Sequence, residues 1–97
     1  MTPIHVQKLN AVIEPVLRGE GVMKAAIFGS FARGEQKAKS DIDILVQLPK
    51  GKSLLDLIRL ENKLKEKLGR DVDVITYGSI HPLLKDSILS SQIPIYG

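Results

Sequence analysis

Three aspartates in otherwise apolar runs, Asp41, Asp43 and Asp73, are the residues of this chain best suited to chemistry. Asp41 and Asp43 open the run Asp-Ile-Asp-Ile-Leu-Val, and Asp73 lies within Val-Asp-Val-Ile. Side chains alternate along a strand, so Asp41 and Asp43 share one face while Ile42, Ile44 and Val46 point to the core. A neighbouring strand can bring Asp73 to that same surface, with Val72 and Val74 facing inward. Two like charges about 6 Å apart repel by roughly 3 kcal/mol at an effective dielectric of about 20. Three of them raise one another's pKa values and weigh against the fold. A divalent cation reverses that sign. Oxygen ligands, with no histidine or cysteine nearby, favour Mg²⁺ or Mn²⁺ over Zn²⁺. The plainer alternative is that Asp41 caps a strand start while Asp43 and Asp73 face solvent, since a lone D-x-D is short and common. Asp71 has the same parity as Asp73 and competes with it. Asp73 is preferred because it sits between valines within the strand, whereas Asp71 lies at a loop junction.

Upstream of the acids, Phe28 ends an apolar run and Gly29-Ser30 follow it. Gly29 lets the backbone approach a ligand with no Cβ in the way. Ser30 adds a hydroxyl, and the amides after it open a short helix suited to an anion. A simple strand-to-helix turn with Ser30 as N-cap fits the same residues. Neither G-x-x-x-x-G-K-[ST] nor G-x-G-x-x-G is present. Arg33 can meet phosphate or pair with Glu35. Lys37 and Lys39 stand before the aspartates, and Lys50 and Lys52 follow the second apolar run. His5 and His81 lie far from the acidic motif in sequence and suit surface or capping roles.

With 97 residues the chain reads as one domain, residues 1–97, near the small end of what buries a working core. The hydrophobic share of 43% fits a globular protein, and the aromatics are only Phe28, Phe31, Tyr77 and Tyr96, so the core is aliphatic. No apolar run approaches the roughly 20 residues that span a bilayer, and the N-terminus lacks a signal-peptide pattern. Cysteine is absent, which removes disulfides and thiolate metal sites. A cytoplasmic protein without membrane association is expected. The net charge of +3 suits anionic ligands. Aromatics are not interleaved with the lysines, which gives a nucleic-acid surface little support.

The elements that must position these residues follow from periodicity. Thr2 and Pro3 read as N-cap and first position of a helix carrying Val6, Leu9, Ile13, Val16 and Leu17. Pro15 is expected to kink or end it. Residues 22–28 and 41–48 read as strands, with one helical turn over residues 30–34 between them. Ser53 and Asp56 form a capping pattern for a helix with Leu54, Leu57, Ile58, Leu64 and Leu68 on one face, stopped by Gly69. A third strand covers residues 71–77, and Ser79 is a candidate cap for a last helix with Leu83, Leu84, Ile88 and Leu89. The tail Ile93-Pro94-Ile95-Tyr96 is more apolar than a chain end needs, either a docking surface or a cover for the sheet. The fold class is α/β (α+β), a small mixed sheet with helices packed on it.

Phe28-Gly29-Ser30, then Asp41-Ile42-Asp43-Ile44, then Val72-Asp73-Val74 together resemble the minimal nucleotidyltransferases (MNT domains) of the DNA polymerase β-like superfamily. That family's pattern is hG[GS], about ten residues, Dh[DE]h, and a third acid on a later strand. The run Arg33-Gly34-Glu35 and Ser40 also resembles small prokaryotic members, and the likeness covers nearly the whole chain. It implies transfer of a nucleoside monophosphate from an NTP to a hydroxyl with release of pyrophosphate. Asp41 and Asp43 would hold a metal on the triphosphate and, with Asp73, a second one, two Mg²⁺ ions with Mn²⁺ as the substitute. Gly29 and Ser30 would fix the β- and γ-phosphates, with Arg33 as a helper.

Small MNT proteins are often antitoxins encoded beside a HEPN-domain ribonuclease toxin, moving AMP from ATP onto a toxin tyrosine. The resemblance therefore implies ATP as donor and a HEPN toxin as partner, with the acceptor brought by that partner. One alternative is an antitoxin that acts by binding alone, against which the intact acidic cluster argues. The other is a small-molecule, aminoglycoside-type nucleotidyltransferase, which normally carries an added acceptor-holding domain.

Overall fold

A computed structural model describes residues 3–34 and 41–97. Helix α1 spans Ile4–Gly19, strand β1 Lys24–Phe28, the single turn α2 Gly29–Ala32, and β2 Ile42–Gln47. Helix α3 covers Leu54–Leu68 and β3 Val72–Thr76. A 3₁₀ turn at Tyr77–Ser79 leads to α4, Pro82–Ser91, and then to β4, Ile93–Tyr96. The sheet order is β3-β2-β1-β4. β1 is antiparallel to both β2 and β4, while β2 and β3 are parallel and joined through α3. This is the small mixed sheet with packed helices that the sequence implied.

Alternation along the strands divides the sheet's two faces. Ala25, Ile27, Ile42, Ile44, Val46, Val72 and Val74 form one face, buried under α1 and α3. Helix α1 contributes Val6, Leu9, Ile13 and Leu17, and α3 contributes Leu60 and Leu64. The second face carries Ala26 and Leu45, covered by Ile80 and by Ile88 and Leu89 of α4. Asp43 and Asp73 lie on this second face, at the end of the sheet where β1 runs into α2.

Several local expectations need correction. Pro3 is the N-cap of α1, not its first residue, and its carbonyl accepts the N–H groups of Val6 and Gln7 at 3.1 and 3.0 Å. Thr2 lies outside the described residues. Pro15 does not end the helix, which runs on to Gly19. Ala11, whose carbonyl loses its i+4 donor, is exposed, as is Pro15, while Ile13 and Leu17 anchor the helix on its buried side. In α3 the buried stripe is Leu60 and Leu64 flanked by Leu57 and Leu68, whereas Leu54 and Ile58 are exposed. The expected cap of α3 is present, the Ser53 N–H donating to Asp56 Oδ2 at 2.8 Å. Ser79 does not cap α4; His81 does, its Nδ1 accepting the Leu83 N–H at 3.1 Å. Leu83 and Leu84 of α4 are exposed.

The apolar tail is strand β4, paired with β1 through Ala25–Tyr96, Ala26–Pro94 and Ile27–Ile93. On the opposite edge Glu61 Oε2 accepts the Val74 N–H at 3.2 Å, which occupies an edge donor beside Asp73. The division of α3 into a buried and an exposed stripe is testable by urea unfolding. Leu60→Ala is expected to cost about 2–5 kcal/mol, and Ile58→Ala no more than about 0.5 kcal/mol.

Candidate active site

The parallel pairing of β2 with β3 sets Asp43 directly beside Asp73, on strands about 4.8 Å apart. Asp43 is half-buried and Asp73 exposed. Asp41 stands exposed one residue before β2, with the parity of Asp43. All three therefore belong to the same end of one sheet face. Asp71 is exposed before β3, and its backbone carbonyl accepts the Ile42 N–H at 3.1 Å, a tie between the two strands.

Asp43 also faces β1. Its register partner there is Phe28, the last residue of that strand. Gly29 follows with φ +73°, a conformation that costs an L side chain free energy. A Cβ at Gly29 would run into Asp43 Oδ2 and lie 3.2 Å from its Cγ. The bare glycine is thus required twice, by its dihedral angle and by the carboxylate against it. Ser30 follows half-buried in α2, and Arg33 closes that turn, its N–H donating to the Gly29 carbonyl at 3.2 Å. Glu35, the alternative partner of Arg33, lies outside the described residues, as do Lys37, Lys39 and Ser40. Lys50 and Lys52 follow β2 at the far end of the sheet from the aspartates.

The electrostatics match this placement. The Asp43 carboxyl is raised above the ordinary 3.8, chiefly by burial and then by the charges of Asp73 and Asp41, with Arg33 acting in the opposite sense. Among the described residues, no three acidic or histidine side chains stand ready-clustered to hold a metal ion. What the three aspartates share is a face and a field. An all-oxygen set whose central carboxyl is pushed up by two like charges suits a hard divalent cation, which would relieve the repulsion.

A model of the nucleotidyltransferase domain matches residues 9–95. The chain belongs to the nucleotidyltransferase domain family. This nucleotidyltransferase is 54% identical over 92 residues to a candidate protein adenylyltransferase of Methanocaldococcus jannaschii, covering 95% of this chain and 99% of that one. Over 73 residues it is 41% identical to the protein adenylyltransferase MntA of Thermococcus cleftensis, covering 75% and 74% of the two chains. Among solved structures, a toxin–antitoxin crystal structure with AMP-PNP matches with a TM-score of 0.80 at 27% identity, over 91% of this chain and 73% of that one. No described helix of this nucleotidyltransferase is long and apolar enough to cross a membrane.

Sequence reasoning assigned His5 only a surface or capping role. In the structure its Nε2 lies 2.8 Å from the Phe31 carbonyl oxygen, inside the turn that carries Gly29 and Ser30. No sequence signal could have found this contact, because 26 residues separate the two partners.

Two outcomes test the electrostatics and the turn. A carboxyl with a raised folded-state pKa takes up a proton on folding, so above the ordinary 3.8 its ionised form weighs against the fold and below it that weight disappears. Asp43→Asn is therefore expected to melt a few degrees above wild type at pH 7 without metal, with the gap closing as the pH falls toward about 4. Equal melting temperatures at pH 7 would contradict the assignment. Gly29→Ala should destabilise the protein by about 1–3 kcal/mol in denaturant titration, from its positive φ and the collision with Asp43.

Proposed function

We propose that residues 1–97 act as one minimal nucleotidyltransferase domain that moves AMP from ATP to a hydroxyl of a partner protein. In this reading the acceptor is a tyrosine of a HEPN ribonuclease toxin, adenylylation silences it, and the pair acts in the cytoplasm. The observation that carries the reading is Asp43, half-buried between the Gly29 backbone and the neighbouring strand's Asp73. The names of the relatives support a protein substrate, and the toxin–antitoxin neighbour holding AMP-PNP supports an adenine nucleotide and a toxin partner.

Asp41, Asp43 and Asp73 are the residues that would hold divalent metal, Mg²⁺ or Mn²⁺, most simply as two ions. Bound there, the metal supplies charge neutralisation on the triphosphate and a lowered pKa for the attacking hydroxyl. Gly29 allows the backbone to approach the β- and γ-phosphates, Ser30 adds a hydroxyl donor, and Arg33 adds positive charge at the same end of the sheet. These groups hold the triphosphate so that its α-phosphorus faces the acceptor. The acceptor hydroxyl gives up its proton to solvent, the new bond joins its oxygen to that phosphorus, the α–β bridging bond breaks, and pyrophosphate leaves. Catalysis then rests on positioning and on fixed charge.

Labelled ATP, Mg²⁺ and the protein encoded by the neighbouring gene provide the test. Label is expected in the partner protein, and Asp41→Asn combined with Asp43→Asn should lower its rate at least about 100-fold. A wild-type protein that inhibits its partner without transferring label would instead establish neutralisation by binding. Label that persists in the double variant would overturn the metal assignment.

A further inference from the structure

We infer that His5 is a positioning residue that holds the Gly29–Arg33 turn from outside the sheet and so sets where the triphosphate sits. The inference rests on the reading of that turn as the phosphate holder. A carbonyl oxygen only accepts, so at 2.8 Å from the Phe31 oxygen the His5 Nε2 must carry the proton and donate. The two rings meet edge to face, with centroids 5.2 Å apart at 65°. His5 also backs the exit of the turn, because a Cβ on Gly34 would stand 3.9 Å from its Cε1. Arg70, just after α3, places its guanidinium 5.8 Å from the Phe31 ring centroid.

Phe31 is therefore gripped by α1 through its carbonyl and by the α3–β3 connection through its ring, and the residue is buried. Ser30 is its immediate neighbour, and Gly29, one residue earlier, rests against Asp43. Arg33, two residues later, carries the charge that acts on Asp43. Anchoring the Phe31 carbonyl restrains the Phe31–Ala32 peptide plane in the middle of a four-residue turn. The turn thus has two stops, Asp43 below Gly29 and His5 behind Phe31. Without His5 the Phe31 carbonyl keeps only the Gly34 N–H at 3.2 Å, a bond within the same turn, so the turn loses its tie to α1, whereas the aspartates and the buried core of α1 keep their places.

The test compares two substitutions of similar length that differ in their donor. His5→Met has none, and His5→Gln offers a side-chain N–H to the same carbonyl. Binding of AMP-PNP and of AMP, each with Mg²⁺, is measured by calorimetry for wild type, both variants and Gly29→Ala. His5→Met is expected to weaken AMP-PNP about tenfold, the loss of about one hydrogen bond's net free energy. AMP, which lacks the β- and γ-phosphates, should bind unchanged, and His5→Gln should recover most of the AMP-PNP affinity. Equal loss for both nucleotides, as unfolding or a general structural role would give, overturns the inference. So does an unchanged AMP-PNP affinity, or a Gln variant no better than Met. If Gly29→Ala shifts the preference for AMP-PNP over AMP while His5→Met does not, only the role of His5 fails. If neither shifts it, the phosphate-holding role of the turn fails as well.

Discussion

The structure turns on one electrostatic debt, the gathering of Asp41, Asp43 and Asp73 at one sheet end with Asp43 pressed against a glycine backbone. Burial and like charge both act on Asp43 in the same direction. The repulsion is tolerable because the opposite face of the same strands buries Ile42, Ile44, Val46, Val72 and Val74 in the main core. Strand alternation thus keeps Asp43 off the main core face, which lies under α1 and α3.

The rest of the fold serves that division. The parallel β2–β3 pair, bridged by α3, fixes Asp43 beside Asp73 without depending on loop conformation. β1 delivers Gly29 to the same end, since its antiparallel register stops at Phe28 opposite Asp43. Ile88 and Leu89 of α4 pack on the cluster of Ala26 and Leu45, while Asp43 stays half-buried and Asp73 exposed. Because Leu45 is buried on the aspartate face, that face is half core and half active site. The boundary runs between Asp43 and Leu45.

Much of this was legible from local pattern. Alternation in residues 41–48 and 71–77 predicts which side chains face inward, and Ser53 with Asp56 marks the start of α3. The order of glycine turn, paired acids and third acid carries the family resemblance. What was not legible depends on partners distant in sequence. Leu60 and Ile58 are both apolar, and only the placement of α3 over the sheet decides which is buried. β4 is short and contains Pro94, which an outer strand tolerates, and its partner β1 lies about seventy residues earlier. Pro15 stays within α1 because tertiary anchoring on both sides outweighs one lost hydrogen bond. His5 acquires its partner only when α1 crosses behind α2.

If the charge gathered at Asp43 is there to receive a cation, metal and nucleotide should stabilise the protein together through these carboxylates. The most direct measurement is thermal melting with Mg²⁺, with AMP-PNP, and with both, for wild type and for Asp41→Asn/Asp43→Asn/Asp73→Asn. At ligand near 100 times its dissociation constant the expected gain is about 2.7 kcal/mol, a rise of several degrees seen only with both ligands and only in wild type. A rise of the same size in the triple variant, or none in wild type, would contradict the role given to the three aspartates.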